Sequence, residues 1–291
     1  MTNEQHITRR QAMKIAGTTG AVYFLAPALT VSSAAPAFAA TAGASAARLT
    51  PELTEGPYWV NTMLHRSNVV GNSHGGRLQQ GVPLKLYINV FEAATKKAMN
   101  GLAVDIWHAN AHGLYSDESS QQAGGGTDSS AGDTISDNWL RGYQITGKDR
   151  GLRTRPLHGQ VSFRTIWPGW YTGRAIHIHV RVRKLHSSGA TIAGYTTQIF
   201  FSDAYNTHVL TTAAPYNARS PQSDPTTDQS DTVLTRGDFA TNIVSVKGTV
   251  GKGYTAVFNI AAAIAEVDAA GSLSRPSGGG TGGPGGAPPN S

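Results

Sequence analysis

The chain has 291 residues, of which 39% are hydrophobic and 14% charged, with 34 glycines and a formal net charge of +6. It has no cysteine, which excludes disulfides, thiolate metal sites and cysteine nucleophiles, so nitrogen and oxygen atoms must hold any metal. No lysine-rich run or aromatic–basic interleaving points to nucleic acid, and the length suits one large domain or two small ones.

Residues 1–39 are interpreted as an export signal. Thr8–Lys14 matches the twin-arginine pattern, a moderately apolar stretch covers Ile15–Val31, and Ala37-Phe38-Ala39 is a small-x-small cleavage site. A membrane anchor is the second interpretation, because glycine, threonine and proline interrupt the apolar stretch. We expect twin-arginine export to the cell envelope or the medium, with no stable membrane insertion after cleavage. The segment carries a net charge of +2, which leaves a mildly basic +4 on the remainder.

The folded domain is expected over residues 50–268. Residues 40–49 are rich in alanine and read as a linker, whereas 269–291 are rich in glycine, proline and serine and are expected to be disordered. The domain opens on Thr50–Trp59, where the turn Gly56-Pro57 precedes two aromatic residues. We interpret this segment as a lead-in that covers one end of the domain.

Strand patterns recur along this domain, and no alternating helices separate them. The predicted strands are Leu84–Phe91, Ala103–Trp107, Leu140–Thr146, Gln160–Ile166, Ala175–Arg183, Gly194–Phe201, Ile243–Val246 and Tyr254–Ile260. We predict that the third and fourth of these pair with each other. Residues 116–138 and 203–237 are predicted as long surface loops, the second with short helical turns. The pattern predicts an all-β fold, an antiparallel β-sandwich with long loops.

The predicted strand Ala175–Arg183 carries the most unusual chemistry. Because successive side chains of a strand point to opposite faces, its isoleucines and valines share one face, and His177 and His179 share the other with two arginines. Two imidazoles at i, i+2 make half of a metal site, although histidines on a half-exposed strand are common without one. Upstream, Tyr171 follows a Pro-Gly turn, and Arg174 lies between it and the histidines.

A second tyrosine completes a recognisable set of motifs. Tyr115 follows a glycine-containing turn after the strand Ala103–Trp107, where it would otherwise be an aromatic plug at the sheet edge. Together with TEGPYW, RGYQIT, PGWYTGRAIHIH and TTQIFF, this segment resembles the intradiol ring-cleavage dioxygenases, the family of catechol 1,2-dioxygenase and protocatechuate 3,4-dioxygenase. The exported bacterial members are the most similar. The resemblance extends from Thr50 to about Phe201.

The resemblance implies a non-haem ferric ion, Fe(3+), held by Tyr115, Tyr171, His177 and His179. Phenolate is a hard, anionic donor that suits ferric iron, and metal binding lowers the pKa of tyrosine far below its free value of about 10. This set differs from the two-histidine, one-carboxylate arrangement of ferrous oxygenases.

The resemblance also implies the activity, which is cleavage of a catechol-type ring by O2 to a cis,cis-muconate-type diacid without an external reductant. Tyr171 is then the axial ligand that leaves the iron and takes up a proton. Arg174 stabilises charge that develops on the ring, and Gln198 lines the pocket. A homodimer is the assembly that the family suggests.

Other residues are left open by the sequence. Tyr58, Trp59, Trp167 and Trp170 suit an aromatic pocket and ordinary packing equally well. Several histidines match no ligand and are expected to be solvated or hydrogen-bonded, namely His108, His112, His158, His186 and His208.

Two other functions compete with the enzyme. An extracellular sandwich module that binds carbohydrate or protein would suit the aromatics and the export signal, but it leaves the tyrosines and histidines unexplained. A zinc or copper enzyme could use the His-x-His pair, but no third histidine or carboxylate stands at motif spacing.

Overall fold

The structure is a computed structural model that describes residues 49–76, 78–118, 134–218, 226–236 and 239–266. The predicted export signal, most of the linker and the predicted tail lie outside these ranges, and so does most of the predicted loop 116–138. The described residues all belong to one contact unit, 42–291, and the other unit, 1–41, contains none of them. No helix within the described ranges is long and apolar enough to cross a membrane.

Strands make up most of the described structure. The strands are β1 Pro83–Glu92, β2 Ala103–Trp107, β3 Arg141–Ile145, β4 Gln160–Ile166, β5 His177–Leu185, β6 Thr191–Phe201, β7 Ile243–Val244, β8 Val246–Thr249, β9 Gly253–Ala262 and β10 Ala265–Glu266. The helices are α1 Asp203–Thr212 and α2 Phe239–Asn242, with short 3-10 turns at Tyr216–Ala218 and Leu234–Arg236.

The described strands form two sheets. The small sheet has the order β4-β1-β9-β8, and the large sheet has the order β10-β6-β5-β2-β3 with β7 beside β6. The all-β sandwich is confirmed, but the sheets are mixed, because β1 pairs with β9 and β6 with β7 in parallel. Parallel neighbours need long connections, and β1 and β9 lie far apart in the chain.

The predicted pairing of Leu140–Thr146 with Gln160–Ile166 is wrong. β3 pairs with β2 in the large sheet, whereas β4 pairs with β1 in the small sheet. The connection between them contains Gly147, Gly151 and Gly159, whose φ values of +70°, +57° and +66° are readily adopted only by glycine. These turns carry the chain from one sheet to the other instead of closing a hairpin.

The core lies between the two sheets. Leu86 and Ile88 on β1 and Ile178 and Val180 on β5 are fully buried in one apolar cluster. Each such side chain contributes about 1.5–3 kcal/mol by leaving water. Because β5 alternates, its apolar face enters this core and its histidine face is directed to the other side of the large sheet.

Helix α1 is a correction to the predicted loop 203–237. Its ten residues are rich in threonine, which lowers the helix propensity read from sequence. The helix is held by tertiary contacts instead, because Asn206 donates to the carbonyl of Phe201 at 2.6 Å and accepts from Trp167 Nε1 at 3.2 Å. This contact also fixes Trp167 in the core, away from the histidine face.

Candidate metal centre

His177 and His179 lie side by side at the start of β5, and both are buried. The strand begins at His177, two residues later than predicted. Their Nε2 atoms are 3.0 Å apart, and His177 Nδ1 lies 2.6 Å from the carbonyl oxygen of Ala175. Because that carbonyl can only accept, Nδ1 carries the proton and leaves the lone pair of His177 Nε2 free to bind a metal.

Tyr171 is brought to the histidines by a turn that only glycine permits. Its Oη lies 3.2 Å from His177 Nε2. A Cβ at Gly169 would come within 2.5 Å of the carbonyl oxygens of Asn110 and Ala111, so the two backbones can approach only because glycine has no side chain. The amide of Gly169 donates to the Asn110 carbonyl at 2.9 Å, which docks the Tyr171 turn on the Tyr115 turn.

Tyr115 is placed by an asparagine turn after β2. Asn110 Oδ1 accepts hydrogen bonds from the amides of His112 at 2.9 Å and Leu114 at 3.1 Å, and this arrangement reverses the chain. The Tyr115 ring then lies 5.8 Å from the Tyr171 ring. Its ring also lies 6.1 Å from that of His179, and its buried hydroxyl has no hydrogen-bond partner among the residues that the structure describes. The structure thus brings all four predicted ligand residues together.

The arrangement fits a metal ion. His177 Nε2 lies 3.0 Å from His179 Nε2 and 3.2 Å from Tyr171 Oη. Two ligands at about 2.1 Å from a metal, with a right angle between them, are about 3.0 Å apart. The unpartnered Tyr115 hydroxyl also needs a partner, because buried polar groups seldom lack one. No group of three or more histidine and carboxylate residues suited to a metal occurs within the described ranges.

Burial favours the neutral forms of the four predicted ligand residues when no metal ion is bound. It lowers the pKa of His177 to about 3, with a further contribution from Arg174, and it holds the pKa of His179 well below the usual range. Burial also raises the pKa of Tyr115 and Tyr171. The imidazoles are therefore already in the metal-binding form, whereas binding through phenolate must release protons from the tyrosines.

Arg174 is held beside the ligands by two partners. Its Nη1 lies 3.5 Å from His177 Nε2, and its Nη2 donates to Gln198 Oε1 at 2.5 Å. Gln198 is fully buried, stands opposite His179 in the sheet, and donates to the Thr54 carbonyl at 2.7 Å. Arg174 and Gln198, which were predicted as catalytic together with Tyr171, therefore lie at the cluster of the four predicted ligand residues, and Gln198 contacts it through the arginine.

Asp231 is a site residue that the sequence did not reveal. Its Oδ2 accepts from Arg174 Nε at 2.9 Å and from the Ala175 amide at 2.8 Å, and its side chain is fully buried. Burial alone would raise the pKa of Asp231, but Arg174 and the amides of Leu234 and Ala175 hold it below its usual value. Asp231 lies 57 residues from its partner in a segment without a motif, so no local signal identifies it.

The lead-in covers the ligand cluster. Gly56 adopts φ +72°, and a Cβ there would lie 3.3 Å from His179 Cε1. Tyr58 is buried and stacks on Tyr115 with the ring centres 4.2 Å apart. Trp59 is half-buried and lies 4.8 Å from the ring of Trp107. Tyr58 and Trp59 of the lead-in therefore supply aromatic lining. For these two residues the sequence had left pocket lining and ordinary packing as equal alternatives.

A buried arginine ties the lead-in to the Tyr115 turn. Arg141 donates to the carbonyl of Tyr58 at 2.6 Å, and to Ser116 through the carbonyl at 2.6 Å and Oγ at 2.9 Å. All of these acceptors are neutral, and burial lowers the pKa of Arg141. The guanidinium thus fixes two segments that carry aromatic rings of the site.

His108 is buried but does not join the ligand cluster. Its Nδ1 donates to the Ala109 carbonyl at 2.8 Å, and Thr165 Oγ1 donates to its Nε2 at 2.6 Å. Burial lowers its pKa to about 4. The hydrogen-bonded role expected from the sequence is therefore the one found.

Acid should destabilise the fold partly through His108. Its folded pKa of about 4 lies below the unfolded value of 6.5, so the unfolded state binds more protons and stability falls as the pH drops through this range. Between pH 7 and pH 4.5 the loss from this one group should be about 2 kcal/mol. Urea unfolding of wild type and His108→Gln at both pH values measures the difference. His186→Gln, at an exposed histidine, is the control that should follow wild type; equal pH losses in wild type and His108→Gln would contradict the assignment.

Comparisons with known proteins point to one family. A family model described as Dioxygenase matches residues 54–220. An intradiol ring-cleavage dioxygenase from Tetranychus urticae is 26% identical, with a TM-score of 0.56, and the match covers 75% of this chain and 94% of that one. A second solved dioxygenase has 26% identity, a TM-score of 0.57 and the same coverage. The dioxygenase domain of a carbohydrate-binding fusion protein from Streptomyces sp. SirexAA-E is 24% identical over 75% of this chain and 100% of that chain, with a TM-score of 0.46. No curated protein sequence gives a significant match.

Proposed function

The chain belongs to the intradiol ring-cleavage dioxygenase family, and from this premise we propose that it is a ferric enzyme that cleaves catechol-type rings with O2. The product would be a cis,cis-muconate-type diacid. The observation that carries the proposal is the buried cluster in which His177 Nε2 lies 3.2 Å from Tyr171 Oη and 3.0 Å from His179 Nε2, next to the unpartnered Tyr115 hydroxyl.

The atoms of the reaction balance without a reductant. One ring carbon–carbon bond breaks between the two hydroxyl-bearing carbons, and both atoms of O2 remain in the two new carboxyl groups. A ferric ion, when bound, would supply Lewis-acid chemistry that favours deprotonation of the catechol and makes its ring reactive towards O2. Tyr115, Tyr171, His177 and His179 would hold it.

The protein's own groups divide the remaining work. A catechol must lose protons on binding, and the Tyr171 hydroxyl, whose pKa is raised by burial, would be suited to take one up. Arg174 places a fixed positive charge beside the site, where negative charge would develop on the ring. Gln198 and Asp231 hold the guanidinium through its Nη2 and Nε atoms.

Visible absorption and oxygen uptake together test the function. Iron-loaded protein should be burgundy because tyrosinate-to-ferric charge transfer absorbs visible light, and it should consume O2 with a catechol while the absorbance of a muconate appears. A panel of substituted catechols would then identify the preferred ring. A colourless iron-loaded protein, or a coloured one that cleaves no catechol, would overturn the proposal.

Asp231→Asn should keep the iron and the colour but lower turnover by about 10–100-fold, the usual cost of removing an outer partner in a metal site. The amide can still accept a hydrogen bond, but it no longer neutralises Arg174 or fixes its direction. The effect should fall on kcat more than on KM, because the guanidinium would act on developing charge.

Asp228→Asn is the matched control for Asp231→Asn, because Asp228 is a buried carboxylate of the same segment and is joined to Asp203 through its amide. Its turnover should equal that of wild type. An Asp231→Asn protein with wild-type turnover would show that the arginine needs no support, and a colourless one would mean that the residue maintains the metal centre itself.

We also propose that the protein is exported by the twin-arginine route, on the evidence of the Thr8–Lys14 motif and the cleavage site. This route carries folded proteins and suits one that takes up its metal before crossing the membrane. Replacing Arg9 and Arg10 by lysine should trap the protein in the cytoplasm, as fractionation would show. Normal appearance of the processed variant outside the cytoplasm would reject the route.

A further inference from the structure

A cavity lies on the outer face of the small sheet. Its volume is about 420 Å³, within the range of about 300–1,000 Å³ typical of small-molecule sites. Its polar and aromatic lining comes from β1, β4 and two adjoining turns, and includes Asn68, Lys85, Tyr87, Arg150, Arg153 and Arg164. Because the opposite face of β1 packs into the core, the cavity and the histidine face of β5 lie on different sides of the sandwich.

The cavity concentrates positive charge that no carboxylate offsets. It is lined by one lysine and three arginines and by no acidic residue. None of these four cations takes part in an ion pair with any residue of the described ranges. Asp149, which directly precedes Arg150 in the chain, bonds instead to His65 and to the amide of Ile145 at 2.5 Å each. The charge in the cavity is therefore free to act on a ligand.

The sheet register forces two of these charges together. Lys85 on β1 and Arg164 on β4 are direct antiparallel partners, and both side chains are exposed on the outer face. Like charges directly opposite each other destabilise a strand pair. An anion bound between them would remove this repulsion.

The opposite wall of the cavity is preorganised. Arg153 donates through Nε to Gln160 Oε1, and its guanidinium lies 4.8 Å from the centre of the Tyr87 ring. The turn that carries Arg150 and Arg153 is docked on β4, because the amide of Leu152 donates to Ser162 Oγ at 2.8 Å. A guanidinium held in one direction loses less side-chain entropy when it binds a ligand.

We infer that this cavity binds a small multivalent anion, a polycarboxylate or a phosphate compound, at a site separate from the candidate metal centre. Four cations on two facing walls match a ligand with several negative groups better than a ligand with a single negative group. The volume of the cavity matches a small molecule, and the Tyr87 ring offers it one apolar face.

Calorimetric titration of the full-length, metal-loaded protein tests this site. The ligands are tricarballylate, inorganic phosphate and acetate at a constant ionic strength of about 0.15 M, so that general screening is equal. At least one of the two multivalent anions should bind with a Kd below about 1 mM, and acetate should not. Binding of tricarballylate alone supports a polycarboxylate ligand, and binding of phosphate alone supports a phosphate compound.

The double variant Lys85→Gln/Arg164→Gln should raise that Kd at least tenfold, whereas Lys252→Gln, which removes an exposed lysine outside the cavity, should leave it unchanged. If an anion extracted the metal from the protein, the heat of that extraction would also appear with the double variant. Such heat could therefore not be mistaken for binding in the cavity. If circular dichroism shows that the double variant is unfolded, Arg150→Gln on the exposed turn replaces it. Failure of both multivalent anions to bind wild type, or equal binding by the cavity variant, overturns the site.

Discussion

His177→Ala and His179→Ala should each leave a protein that cannot retain iron. Each change removes a buried imidazole whose Nε2 lies 3.0 Å from its neighbour on the rigid start of β5. Loss of an outer partner in a metal site already costs about 10–100-fold, so loss of a ligand should weaken metal binding by more than about 100-fold.

Metal analysis of purified variants measures this effect, together with the visible spectrum. His108→Gln is the matched control, since it replaces a buried histidine outside the ligand cluster and should retain iron at neutral pH. The variants should also fold, because the substitutions leave the apolar face of β5 unchanged. Circular dichroism can verify that they are folded. Full iron occupancy in either alanine variant would remove that histidine from the ligand set.

Arg174→Ala should keep the iron and the burgundy colour but lose most of its turnover. Arg174 borders the cluster without entering it, because a guanidinium stays protonated and cannot serve as a ligand. Removal of one preorganised donor of this kind costs about 10²–10³ in rate, or about 3–4 kcal/mol of transition-state stabilisation. The loss should appear in oxygen uptake with a good catechol, measured beside iron content.

The conservative replacement Arg174→Lys should recover little of this activity. The guanidinium uses Nε for Asp231 and Nη2 for Gln198 at the same time, and a single ammonium cannot reproduce that planar arrangement. Arg181→Lys on β5 is the control, since Arg181 pairs with Glu55 at the lead-in and should tolerate a lysine.

Two outcomes of the Arg174 experiment would contradict its role. A coloured Arg174→Ala protein with near wild-type turnover would show that the charge is not needed. A colourless one would mean that Arg174 maintains the structure of the metal centre, for example because buried Asp231 loses its partner. Arg174→Gln, which keeps a hydrogen-bond donor for Asp231, would then separate the charge from the support of that carboxylate.

The local periodicity of the sequence determined the central part of this molecule. The alternation over β5 predicts that His177 and His179 share a face and that Ile178 and Val180 enter the core, and the structure has both. This prediction needs only the two-residue period of a β-strand, which can be read from residues that are adjacent in the chain. The ordered motifs around Tyr115 and Tyr171 identified the family for the same reason, because each motif is contiguous in the chain.

Only the tertiary structure decided which distant segments meet at the site. Gly169 admits the backbone of Asn110, Tyr58 stacks on Tyr115, and Asp231 reaches Arg174, although no sequence pattern relates the members of any of these pairs. The register of β1 with β4 likewise brings Lys85 and its opposing cation together. Such contacts depend on long-range pairing and on the packing of whole elements, whose free energies are summed over many residues and leave no local signal. The parallel β1–β9 pair and the separation of β3 from β4 were hidden for this reason, since many strand arrangements bury the same apolar faces.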